Sequence, residues 1–155
     1  MNLTIRDANL DDSADGAALV EIIDSYARGP GGQRAPLSDL ARANLAKGLL
    51  EHASATAVLA LVDGRAVGAA VCVWGFSTFA GRPCVNICDF AVLPAYQHRG
   101  VGTRLLLEVE RRAKARGCCK ITLEVHDTNR GAKRLYERNG FGPWESPTLF
   151  VTKPL

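Results

Sequence analysis

At 155 residues, 47% hydrophobic and 23% charged, the chain has the length of one globular domain with a sizeable core and is short of two. Its net charge of +3 is spread along the sequence instead of gathered in a stripe, which speaks against a nucleic-acid binder and fits a small anionic ligand. The cysteines (Cys72, Cys84, Cys88, Cys118, Cys119) form an odd set without a CxxC pair, and His52, His98 and His126 lie far apart; a disulfide framework and a metal site are both unexpected.

The elements follow in chain order. Residues 1–16 hold Asp7, Asp11, Asp12 and Asp15 and no apolar leader core, and no apolar run approaches the ~20 residues that cross a bilayer. A cytoplasmic protein without membrane contact is expected, with its cysteines reduced and mostly buried. Residues 3–6 alternate like a strand. Asp11 or Ser13 can cap a helix with the stripe Ala17, Leu19, Val20, Ile22, Ile23 and Tyr26. Gly29, Pro30, Gly31 and Gly32 break that helix, and Ser38 starts a second one through about Leu50. Strands 56–62 and 66–74 flank Asp63-Gly64, a two-residue hairpin signal, and a strand follows at 84–92.

Pro94 cannot continue that strand, because it lacks the ladder donor. From Gly100 the positions Gly102, Leu105, Leu106, Val109 and Ala113 recur at helical spacing until Gly117. Residues 120–125 form a further strand, parallel to 84–92 if the helix is a crossover. Asp127 or Thr128 caps a last helix to about Asn139, which Gly140 ends. Residues 141–142 and 149–152 supply two short final strands. The whole reads as one domain, 1–155, of the α/β (α+β) class, with helices on both faces of a mixed, mostly antiparallel sheet of about seven strands.

The start of the third helix is electrostatically unusual. A helix N-terminus has unpaired N–H groups and partial positive charge, which acidic residues commonly answer. Between Tyr96 and Leu107 the charged side chains are Arg99 and Arg104, with His98 beside them. Gly100 and Gly102 remove the Cβ atoms that would hold a phosphate off the amides. A bound pyrophosphate satisfies this pattern; a plain turn does so as well. Arg111, Arg112, Lys114 and Arg116 at the far end suit a helix C-terminus without a ligand.

The segment Gln97-His98-Arg99-Gly100-Val101-Gly102, preceded by Phe90-Ala91-Val92, resembles the pyrophosphate motif of the GNAT superfamily of N-acetyltransferases. A second block, Leu123-Glu124-Val125 with Asn129, Ala132, Leu135, Tyr136, Gly140 and Phe141, resembles that family's other cofactor segment. A phosphate-loop NTPase is a poor match, since Gly102 is followed by Thr103 and Arg104 where that motif needs a lysine and then a hydroxyl residue.

The resemblance implies a sheet with a splayed parallel pair, acetyl-CoA as cosubstrate, no metal, and a site built as follows. The backbone at Phe90, Ala91 and Val92 meets the pantetheine. Gln97, His98, Arg99, Gly100, Val101, Gly102 and Thr103 cradle the pyrophosphate. Asn129 bonds the pantetheine arm, Ala132 and Lys133 line the cofactor, and Tyr136 is the general acid for the departing thiolate. Tyr136 stands four residues from Ala132 and seven from Asn129, so one helix face carries all three; a half-buried core tyrosine fits that spacing too.

The acceptor amine attacks when neutral. At pH 7 that state costs about 4.6 kcal/mol for a lysine-like amine and about 1.4 for an α-amine. Asp89 is the leading base or recognition carboxylate. Some protein-lysine acetylating relatives place a glutamate where this chain has Asn86, and alternation sends Asn86 and Asp89 to opposite faces unless a bulge intervenes. Glu124 and His126, on one face of the neighbouring strand, can act through water instead. Tyr26, Trp74, Phe76 and Phe79 are the expected aromatic walls of the acceptor pocket, with Arg34 and Arg82 as its charges. The expected acceptor is a small-molecule amine; a protein N-terminus or lysine, a catalytically silent acyl-CoA-binding module, and a homodimer are the other readings.

Overall fold

The computed structural model describes residues 1–145 and 148–155. Among them the order is β1 (Leu3–Asp7), α1 (Ser13–Arg28), α2 (Asp39–Glu51), β2 (Ala55–Val62), β3 (Arg65–Ser77), β4 (Arg82–Val92), α3 (Val101–Ala115), β5 (Ile121–Leu123) and α4 (Arg130–Arg138). The sheet runs β1-β2-β3-β4-β5; its first three pairings are antiparallel and β4 pairs β5 in parallel. α3 supplies the crossover that a parallel pair requires.

Local chemistry explains most boundaries. Asp63 and Gly64 both take positive φ, +50° and +86°, as a two-residue hairpin of the primed type demands. Ser38 caps α2 by accepting from the Ala41 amide. The other two caps fall beside the expected positions: Asp12 caps α1 by accepting from Ala14 N, and Asn129 caps α4 by accepting from Ala132 N at 3.1 Å. Each is the residue whose short acceptor reaches an orphan amide of the first turn.

Leu19 and Ile22 of α1, Leu59 and Val67 of the sheet, and Leu105 and Val109 of α3 are all fully buried. α1 packs on β3 and β4, and α3 reaches β1 to β4, which encloses the sheet from both sides. Among the thiols, Cys72 is buried, Cys84, Cys118 and Cys119 are half-buried and Cys88 is exposed, so the expectation of mostly buried cysteines holds at one position. Desolvation pushes the Cys72 thiol up to about 12.

Five strands form among the described residues, not seven. Pro143 offers no ladder donor beside residues 141–142, and Gly142 has no side chain to pack. Leu149, Phe150 and Val151 stand 82%, 76% and 82% exposed, so the segment buries neither of its faces. The fifth strand also stops at Leu123, before the expected Glu124 and Val125. Among the described residues no helix is long and apolar enough to cross a membrane.

Candidate active site

The site begins with a divergence of strands. Parallel pairing between β4 and β5 covers Val85–Ile121, Asn86–Thr122 and Ile87–Leu123 and goes no further. At that point β4 carries a bulge: Val71 faces Asp89 while the next residue, Cys72, faces Ile87, leaving Cys88 as the extra residue. The bulge shifts the alternation by one. Asn86, Asp89 and Ala91 therefore share a face, and Val85, Ile87, Phe90 and Val92 share the other.

Beyond the bulge the outer edge of β4 is open. Leu93 N donates to Val67 O at 2.8 Å, so by antiparallel alternation the backbone groups of Phe90 and Val92 point away from β3, into the gap. Gln97 Nε2 reaches back to the Val92 carbonyl at 2.9 Å. The Gln97 side chain thus ties loop to strand.

The loop after β4 presents amides. His98 at φ +58° and Gly100 at φ +80° are both left-handed, and alternation of this kind turns successive N–H groups into one concavity that suits an anion. Arg104 N is the first α3 amide bonded within the helix, to Gly100 O at 3.1 Å, which leaves the Val101, Gly102 and Thr103 amides to face outward. A Cβ at Gly100 would meet no heavy atom within 4 Å, whereas one at Gly102 would lie 3.1 Å from Leu135 Cδ2. Conformation thus calls for glycine at 100, whereas at 102 a methyl would press on the end of the Leu135 side chain. The donor set fits a diphosphate. Arg99 lies over the Tyr96 ring, 5.7 Å from its centroid.

α4 closes the gap from beneath. Tyr136 is 6% exposed, edge-on to Phe90 at 6.0 Å between centroids and tilted against Phe141 at 5.7 Å. Burial holds its phenol well above the ordinary tyrosine range, and the charge of Tyr26 adds to the effect. Ala132 packs against the core, and Lys133 Nζ stands over the Trp144 ring at 5.6 Å. Asn129 spends its Oδ1 on the α4 cap.

On the α1 side, burial raises the Asp89 carboxyl above the usual range. Its charge in turn raises the Tyr26 phenol, behind burial as the larger cause. Burial first, and then the charges of Asp89 and Glu124, raise the Cys88 thiol, whose Sγ donates to Asn86 Oδ1 at 3.5 Å. Asn86 Nδ2 donates across the parallel pair to Thr122 Oγ1 at 2.8 Å, so Asn86 serves the sheet. Glu124 and His126 follow the end of β5 and lie outside any strand, because the chain there turns from the sheet toward α4.

Of the four aromatic walls expected, Tyr26 comes to this gap. Trp74 shares the face of Cys72 and Val85; its Nε1 donates to Thr56 Oγ1 at 3.0 Å and Arg116 stacks 3.8 Å from its ring centroid. Phe76 and Phe79 stand exposed at the β3–β4 turn. Arg82 donates to Gly117 O. The bulge is the exception under which Asn86 and Asp89 come to share a face, and two features were not anticipated: the bond from Tyr26 Oη to Gly31 O at 2.8 Å, and the approach of Gly31 to Asn129. The run of glycines at 29, 31 and 32 was the available signal for both.

Comparison with known proteins agrees with this geometry. Residues 17–141 match the sequence model of the acetyltransferase (GNAT) family. The uncharacterized N-acetyltransferase YhfO of Bacillus subtilis (strain 168) is 30% identical over 105 residues, 68% of either chain. The N-alpha-acetyltransferase MAK3 of Arabidopsis thaliana is 35% identical over 85 residues, 54% of this chain and 43% of that protein; the match thus spans less than half of that relative's length. An aminoglycoside acetyltransferase from an uncultured soil metagenomic sample, solved in complex with sisomicin, shares the fold at a TM-score of 0.80 with 17% identity, covering 99% of this chain and 97% of that one. With the family match spanning most of the described fold, the chain belongs to the GNAT family of acetyltransferases.

Proposed function

We propose that the protein transfers an acetyl group from acetyl-CoA to a primary amine on a small molecule, by direct attack of the amine within a ternary complex. One observation carries this reading. The outward amides of α3 follow directly on the open edge of β4 at Phe90 and Val92, where β4 and β5 part, and the Tyr136 ring packs edge-on to Phe90. Acetyl-CoA supplies the thioester carbonyl as electrophile.

The chain's own groups divide the remaining work. The Val101, Gly102 and Thr103 amides and the His98–Gly100 concavity hold the diphosphate. Backbone groups of Phe90 and Val92 align the arm along β4. Tyr136 keeps its proton at neutral pH and holds it for the sulfur as the carbon–sulfur bond breaks and the carbon–nitrogen bond forms. Asp89, whose carboxyl burial raises above the usual range, takes the proton that the attacking amine loses. Together with Glu124 it makes the acceptor side attractive to a cation. The aminoglycoside acetyltransferase solved with sisomicin has this fold, and the N-alpha-acetyltransferase MAK3 has the higher sequence identity, so the acceptor panel includes both small amines and an N-terminal peptide.

Titration calorimetry of CoA into the purified protein, followed by an amine panel read by release of free thiol, tests the proposal. Binding of CoA and turnover with a small amine are expected. Absence of CoA binding by the folded protein refutes it.

A further inference from the structure

The loop between α1 and α2 is fixed to α1 at two points. Gln33 N donates to Ala27 O at 2.9 Å. At the far end Leu37 N donates to Asp24 Oδ1 at 2.8 Å, and Asp24 is itself held by Arg28 and Arg42 at 2.7 and 2.8 Å. Just ahead of the Gln33 anchor the chain passes so close to α1 that a Cβ at Gly32 would lie 2.4 Å from the Tyr26 carbonyl and 2.7 Å from Ala27 Cα. Those are backbone atoms, which cannot yield.

The loop's first turn is closed by Gly32 N donating to Gly29 O at 3.1 Å, and a side chain ties it as well, with Tyr26 Oη donating to Gly31 O at 2.8 Å. There the loop lies on α4. A Cβ at Gly31 would come within 2.9 Å of Asn129 Nδ2 and 3.2 Å of Tyr26 Cε2. Because Asn129 Oδ1 is committed to the Ala132 amide, the amide plane is set, and Nδ2 is the end that meets the loop.

We infer that Tyr26 is a positioning residue: its hydrogen bond to the Gly31 carbonyl holds residues 29–33 down on Asn129, so that the acceptor-side loop and the cap of α4 are kept in one fixed relation. The phenol acts through the loop and touches no reacting atom. The kinetic part of this inference rests on the proposed acetyl transfer; the structural part does not.

Hydrogen exchange on the full chain without CoA reads the latch directly. In Tyr26→Phe, which keeps the ring and removes the donor, the Gln33 amide is expected to exchange about fivefold faster, the size that one hydrogen bond supports, with Leu59 and Val109 unchanged. Gly31→Ala reads the same contact from the other side, since its methyl meets Asn129, and is expected to accelerate Gln33 at least as much. In turnover, Tyr26→Phe is expected to raise the amine KM about fivefold with kcat within about twofold. Wild-type exchange at Gln33 in both variants overturns the latch, and so does a fall in kcat at constant KM, the mark of a group acting in the chemistry. Failure of CoA to bind the wild type would instead fall on the proposed function and leave the exchange result standing.

Discussion

Gln97 Nε2 donates to the Val92 carbonyl oxygen at 2.9 Å, which joins the end of β4 to the loop that starts α3. The bond sets the outward α3 amides in line with the open strand edge. Gln97→Ala removes it, and the CoA dissociation constant is expected to rise about fivefold while stability falls by no more than about 1 kcal/mol. Calorimetry beside a urea melt separates the two effects, and an unchanged constant would show that the loop holds its place without Gln97.

Gly100 and Gly102 are expected to respond differently to the same substitution. Gly100 has open space but a φ of +80°, so Gly100→Ala meets backbone strain alone, about 1–2 kcal/mol for an L-residue in that region. Gly102 lies in the helix, where alanine is favoured, and its new methyl meets the mobile end of Leu135 at 3.1 Å. Gly102→Ala is therefore expected to cost under about 1 kcal/mol of stability. Equal losses in chemical melts would contradict this division.

What could be read from the chain alone was the local part. Asp63-Gly64, the Ser38 cap and the glycine-started α3 are set by residues within a few positions of one another, so their side chains announce them. The bulge at Cys88 is different. Residues 84–92 alternate acceptably with or without an extra residue, and the partner strand decides the outcome, which is why the shared face of Asn86 and Asp89 depended on tertiary pairing. The early end of β5 has the same origin, since Glu124 and Val125 suit a strand but β4 has already diverged. Trp74 read as a pocket wall because aromatic content alone does not say which face of β3 it takes; Arg116, forty-two residues later in the sequence, holds it to the α3 side.

Burial against Phe90 and Phe141 keeps the Tyr136 phenol protonated, which is the state the proposed acid role requires. Tyr136→Phe is expected to lower kcat by roughly 10²–10⁴-fold with CoA affinity within about threefold, because the rings still pack. Pre-steady-state release of free thiol gives the chemical step directly. A full-rate variant removes Tyr136 from the mechanism.

Glu108 accepts from Arg111 Nε and Nη2 at 2.9 and 2.8 Å and from Arg112 Nε at 2.8 Å, and Arg112 also pairs with Asp7 of β1. Bonding to Arg111 first, and then to Arg112, holds the carboxyl down at about 2. A lowered folded value means that the stabilisation is present above the ordinary glutamate value, ~4.3, and is lost as pH falls from there through about 2. Glu108→Gln is expected to shift the urea midpoint downward at pH 7 and to match the wild type in strong acid. The same deficit at both ends would mean that packing, not charge, is what the glutamate contributes.

Asp89 carries the opposite sign. Burial raises its folded value, so the charged form is the penalised one: the wild type is relatively most stable below the ordinary aspartate value, ~3.9, and loses that advantage as pH rises through the raised value. Asp89→Asn is therefore expected to be the more stable protein at pH 7, with the difference vanishing near ~pH 3, as thermal midpoints across that range will show. Turnover should move the other way. If Asp89 takes the amine's proton, wild-type kcat/KM falls on the acid side as the carboxyl protonates, and the Asn variant is slow throughout with that limb gone. A variant that is stabilised at neutral pH yet keeps the wild-type acid limb would assign the titrating base to another group on the acceptor side, with Glu124 the carboxylate next to be replaced.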